Sequence, residues 1–274
     1  MISLGVLLLF VLMAIIVPPL NNYDALKTNT LNSLKPPSGQ YIFGTDNLGF
    51  DIWTRLWAGA RISLFIGIAT MLVAINIGVL VGSLAGYFGG KTDAVLMRFT
   101  DFMLGIPQLF LLLVFGKLVT AANVSWLVGG PLPIILVVGI LSWMGVARLV
   151  RGQFLSLKSK DFVEATRAMG ADAPRLILRH ILPNAASPII VSATLRVGAA
   201  IVTESTLSFL GYGVQVPNVT WGYMLRNAQN DMTLAPWVAI FPGLAIFITV
   251  LCINYIGDGL RDALDPRTIL QSRA

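Results

Sequence analysis

Long runs without a charged residue alternate with polar breaks along this chain, and the runs have the length that a lipid bilayer selects. Uncharged stretches extend from Met1 to Tyr23, from Ile62 to Gly90 and from Met232 to Gly257. Another, from Phe102 to Ala147, contains only Lys117, and Asn123 with Gly129-Gly130-Pro131 divides it into two expected helices. A less clean candidate runs from about Ala185 to Gly211 and contains Arg196 and Glu204. A spanning helix needs about 20 mostly apolar residues, so the pattern predicts an all-α polytopic membrane protein with about six transmembrane helices.

Composition agrees. Of 274 residues, 56% are hydrophobic and only 12% charged, against roughly a quarter in a soluble domain. The net charge of +6 then reads as the Lys and Arg excess of cytoplasmic loops, and nucleic-acid binding is not expected. With the N-terminus inside, six spans place Lys91, Arg98, the cluster from Arg148 to Arg179, Arg261, Arg267 and Arg273 in the cytoplasm. Lys27, Lys35, Arg55, Arg61, Lys117 and Arg226 fall outside or at the outer boundary, so both termini are expected to be cytoplasmic. The resulting division is a first helix over 1–23, an outer loop over 24–60, a membrane core over 61–267 with an inner loop at 151–184, and a tail over 268–274. The first run has no basic n-region and ends in Val17-Pro18-Pro19-Leu20, which reads as a retained helix, not a cleaved leader. Cys252 has no partner cysteine and His180 is the lone histidine, so no disulfide and no metal site is expected of this chain.

The inner loop carries helix punctuation. Asp161 is placed to cap a short helix containing Glu164, Gly170 to stop it in the left-handed conformation, and Asp172 with Pro174 to start a second helix that Pro183 closes. Arg175 and Arg179 share a face of that helix, and Leu176, Ile177, Leu178 and Ile181 cover much of the remainder. Such a surface suits a groove on another protein, or anionic headgroups; the residues alone leave both open.

Arg196 and Glu204 must face protein or water, since a charge at mid-bilayer costs about 2.5–3.5 kcal/mol or more. Being a little over two turns apart, about 12 Å along a helix, they are not expected to pair directly. They belong either to a translocation pathway or to structural pairings, each satisfied across a subunit interface or near a helix end. Pro242-Gly243 is expected to interrupt the last span. Gly86 to Thr92 ends like a P-loop but lacks its first glycine, which would fall at Ala85, so Gly89-Gly90 reads as a tight turn and ATP hydrolysis is assigned elsewhere. No His-Glu-x-x-His or Gly-x-Ser-x-Gly is present, and an enzyme is not expected.

The run Glu164-Ala165-Thr166, three residues, Gly170, then Ile181-Leu182-Pro183 resembles the cytoplasmic signature of ABC importer permeases. Thr166 stands where that family usually has Ala, and His180 where it has Ile. Three further blocks resemble its dipeptide, oligopeptide and nickel branch: Gly44 to Asp51 leading to Gly59 to Leu64, Leu207 to Gly213, and Gly257 to Pro266. Phe50 replaces an Arg that the family often carries beside Asp51. The resemblance implies a type I importer with a second homologous permease subunit, two P-loop ATPase subunits and an extracytoplasmic solute-binding protein. ATP and Mg would be used by those ATPases, with no cofactor on this chain, and Glu164, Ala165, Gly170, Ile181, Leu182 and Pro183 would form the ATPase-coupling region. The implied cargo is a peptide or a related small solute, possibly nickel recognised by another subunit; a stand-alone secondary transporter or channel is the alternative. The implied location is a prokaryotic inner membrane.

Overall fold

The structure, a computed structural model, describes residues 1–20, 28–121 and 130–264. Among these the regular elements are helical, apart from one bridge between Thr45 and Asp51. Four helices are long and apolar enough to cross a membrane: α1 (Ile2–Leu20), α2 (Ile52–Phe88), α10 (Ala186–Phe209) and α12 (Trp237–Leu264). Two pairs bent at a short break, α3 (Gly90–Gly105) with α4 (Gln108–Ala121) and α5 (Leu132–Ile140) with α6 (Met144–Leu157), bring the count to six if each pair is one span. The break between α3 and α4 falls at Ile106-Pro107, where proline removes a donor and biases the residue before it away from the helical region. Asn123 and Gly129, assigned to the division between the two central helices, lie outside the described residues, as do 21–27 and the tail.

Two expectations about helix ends change. Helix α2 starts at Ile52, inside the stretch assigned to the outer loop, because Asp51 caps it: Oδ2 accepts from the Thr54 amide at 2.9 Å. Arg55 and Arg61 hide this start from any apolar window. Helix α12 runs unbroken through Pro242, so Pro242-Gly243 does not interrupt it; proline six residues into a helix removes one backbone bond without ending it.

The described residues form two compact units, those within 1–70, 112–138 and 197–256, and those within 71–111, 139–196 and 257–264. In the first, Trp221 on α11 (Trp221–Ala228) is fully buried among Ile52, Leu56, Ala60, Ile201 and Val238. Its indole Nε1 donates to the Leu56 carbonyl at 2.9 Å, and its amide to Ser63 Oγ at 3.1 Å. Phe10 of α1 meets Trp57 edge-on, with ring centroids 5.3 Å apart. The outer segment folds onto this unit through Trp237 Nε1, which donates to the Thr45 carbonyl, and through Phe43 stacked on Phe241.

In the second unit, α2 packs against α6 along Gly78, Gly82 and Gly86. A Cβ on Gly82 would lie 2.5 Å from the Ala147 carbonyl oxygen, and one on Gly86 2.5 Å from Phe154 Cβ. Small residues four apart let two backbones touch, the main means of helix association where apolar solvent supplies no hydrophobic drive. Gly89 and Gly90, both at positive φ, form the expected tight turn into α3. There Asp93 is held by two bonds from Arg151 of α6.

This contact makes a contrast testable. Gly82→Val is expected to lower the yield of monodisperse protein several-fold and to destabilise it by about 1–3 kcal/mol through overpacking. Gly243→Val, where a Cβ meets open space, should leave both unchanged in the same size-exclusion and thermal-unfolding measurements.

Candidate functional site

The inner loop folds as a hairpin of short helices on α6. Helix α7 (Asp161–Ala168) is capped by Lys160 in extended conformation without a side-chain bond, so Asp161 is the first helical residue and not the cap. Its carboxylate still stabilises that end by facing the positive pole of the helix dipole. Gly170, at φ +87°, ends the turn, its amide donating to Arg167 O while that of Ala171 reaches Thr166 O. Asp172 caps α8 (Ala173–Arg175), accepting from the Arg175 amide, as its position in the chain indicated.

Beyond α8 the backbone widens into a π-helical turn, Leu176–Ile181, and continues through α9 (Leu182–Asn184) into α10. Pro183 therefore does not close the segment. It sits in the first turn of α9, where a missing N–H is tolerated, and the π turn absorbs the change of register.

The signature residues divide by exposure. Glu164, Ala165, Gly170 and Pro183 are exposed, Leu182 is half-buried, and Ile181 is fully buried. Leu176 and Ile181, expected on a partner-facing surface, instead pack with Val163 against Val146, Val150 and Phe154 of α6. The apolar groups left outside are Phe162, Leu178 and Met169, the last 79% exposed beside Gly170. The hairpin is thus a small outward-facing tip on a rigid internal anchor, with Arg175 and Arg179 exposed on one side.

Within α10 the two charges find separate partners. Glu204 is fully buried and accepts from Ser208 Oγ at 2.6 Å, Thr220 Oγ1 at 2.9 Å and Ser205 Oγ at 3.4 Å. Thr220 in turn caps α11 by accepting from the Tyr223 amide. Gly222 has no room for a side chain against Ser205 and Ser208, and Gly213 none against Ser208. Arg196 donates from Nη1 to the Ser142 carbonyl, in the break between α5 and α6, and Gly145 leaves space for its Nη2. Gln108 reaches the same break, donating to Leu141 O and Ser142 Oγ.

On the outer segment, Arg55 is 4% exposed, pairs with Asp46 at 2.9 Å and lies 4.0 Å from the Phe50 ring centroid. An ion pair therefore exists beside the position where Phe50 replaces Arg, made by Arg55 instead, with the ring as a cation–π platform. Burial pushes the Asp46 carboxyl upward, against the pull of Arg55 and of the Phe50 and Leu48 amides. Asp46 and Ser208 lie in blocks that carry the family resemblance, but their pairing with Arg55 and Glu204 has no local signature; for Thr220, its place directly before Trp221-Gly222-Tyr223 is a cap signal.

Residues 78–270 match the family described as binding-protein-dependent transport system inner membrane component, and residues 1–37 match the N-terminal TM domain of oligopeptide transport permease C. An oligopeptide transport system permease protein of Bacillus subtilis is 43% identical over 97% of this chain and 85% of its own length. A glutathione transport system permease protein of Pectobacterium atrosepticum is 46% identical over 84% and 74%, and a dipeptide transport system permease protein of B. subtilis 40% identical over 97% and 81%. Among solved structures, an inward-facing MetNI methionine ABC transporter aligns with a TM-score of 0.63 and 19% identity, over 78% of this chain and 97% of that one, a likeness of fold. With a family match across most of its length and relatives this similar, the chain belongs to the binding-protein-dependent transport system inner membrane components, as a multi-pass permease subunit of an ABC importer in the prokaryotic inner membrane.

Proposed function

We propose that this permease forms half of the translocation pathway for peptides and couples it to cytoplasmic ATPases through the Glu164 to Pro183 hairpin. Its relatives are named for oligopeptides, dipeptides and glutathione, all of them peptide-like solutes. None of those three is named for nickel, and family membership weighs against a stand-alone transporter or channel. The remaining partners are a second permease subunit, two P-loop ATPases that consume ATP and Mg, and an extracytoplasmic binding protein. Both termini and the hairpin lie on the cytoplasmic side, in keeping with the Lys and Arg distribution.

The observation that carries the coupling role is the exposed tip. Glu164, Ala165, Gly170 and Met169 face outward while Val163, Leu176 and Ile181 lock the hairpin to α6. A tip fixed in this way loses little entropy on docking, so binding energy can be converted into displacement. Glu164 offers a carboxylate for a basic group of the ATPase, and Gly170 lets the backbone turn close to that surface.

Two measurements check this. Glu164→Lys and Gly170→Glu are expected to reach the membrane at normal levels and to lower peptide uptake more than about tenfold, a loss of at least 1.4 kcal/mol of coupling. Gly170→Asn, which tolerates positive φ, should retain much more uptake than Gly170→Glu. Normal uptake by assembled Glu164→Lys protein would remove that residue from the coupling surface. For orientation, Met169→Cys in a Cys252→Ser background should react with a membrane-impermeant thiol reagent only after the cells are opened; labelling of intact spheroplasts would invert the topology.

A further inference from the structure

Helix α1 ends in two consecutive prolines, Pro18 and Pro19. In an α-helix the N–H of each residue bonds the carbonyl four residues earlier, and proline has no N–H. The pair therefore removes the helix's own donors to Ala14 O and Ile15 O. Those are the two atoms that Arg61 of α2 reaches: Nε donates to Ala14 O at 2.5 Å and Nη2 to Ile15 O at 2.8 Å. Among the described residues no carboxylate pairs with Arg61. A guanidinium presents parallel donors in a rigid plane, a match for two adjacent carbonyls that the single ammonium of lysine cannot make.

The surrounding contacts fix the same register. Ala14 is 3% exposed, whereas most of α1 is open, and Phe10, one turn earlier, is wedged edge-on between Trp57 and Trp221. We propose that Arg61 is a docking latch for the first helix, supplying in trans the two hydrogen bonds that Pro18 and Pro19 delete. The prolines are thus part of a receptor: they keep two carbonyls open so that only a forked donor at one level of α2 seats the helix. The separate matching of residues 1–37 and 78–270 to two families fits a first helix that is an attachment to the core and needs its own seat.

The test uses the full chain in detergent micelles, with Ala14→Cys as reporter and the native buried Cys252 as internal control. Methyl methanethiosulfonate modification of each thiol is followed by mass spectrometry. Arg61→Leu should raise the modification rate at position 14 about tenfold, the change expected for loss of one or two charge-assisted bonds, with Arg61→Lys intermediate and Cys252 unchanged. In a Pro18→Ala/Pro19→Ala background, where the helix satisfies its own carbonyls, Arg61→Leu should change the rate less than twofold. The proposal is overturned if Arg61→Leu leaves position 14 protected, if its effect is equally large with and without the prolines, or if Cys252 becomes reactive in parallel in both Arg61 variants.

Discussion

A helix that crosses lipid has no water to turn to when its backbone ladder is broken, so every carbonyl or amide it frees must be met by another part of the chain. The described helices are broken repeatedly, and two of the breaks draw a polar side chain. The prolines of α1 are met by Arg61, the gap between α5 and α6 by Arg196 and Gln108, and Pro183 falls in a helical turn that tolerates its missing donor. Arg61, Arg196 and Gln108, which hydropathy treats as blemishes, are the complement of those breaks. The charge of Arg196 is solvated by a carbonyl dipole and not by a carboxylate, which explains how it and Glu204 share α10 without pairing.

Close approach imposes the second constraint. Where α2 meets α6, glycines bring backbone against backbone, and the same close fit recurs where Gly213 and Gly222 press on Ser208 beside Glu204. Hydroxyls of Ser205, Ser208 and Thr220 can converge on one buried carboxylate only because nothing larger than hydrogen stands between the segments that carry them. A buried acid with three donors is held in one geometry, and it ties α11 and its Trp221 to α10.

What could be read from the residues was what depends on near neighbours. The left-handed stop at Gly170, the cap at Asp172 and the Gly89-Gly90 turn are set by a few consecutive side chains and were legible. The start of α2 was hidden because Arg55 and Arg61 break the apolar pattern, although Asp51 and Thr54 form an ordinary cap. Arg61 bonds residues 46 and 47 positions away, and Thr220 reaches Glu204 across 16, so neither role has a local signature. Amphipathicity also misled: it showed that Leu176 and Ile181 need cover, but not that the cover is α6 of the same chain instead of a partner.

That misreading changes what the signature means. A motif whose residues all touched a partner would be only a sticker, and its docking energy would be dissipated in bending the loop that bears it. With Ile181 inside and Glu164 and Gly170 outside, the same short motif sets both the shape of the tip and its attachment. From Ala173 the chain then runs helically, with a turn only at Ala185, into the helix that carries Arg196 and Glu204. The π turn at Leu176–Ile181 on that path is pinned at both ends by the buried side chains of Leu176 and Ile181.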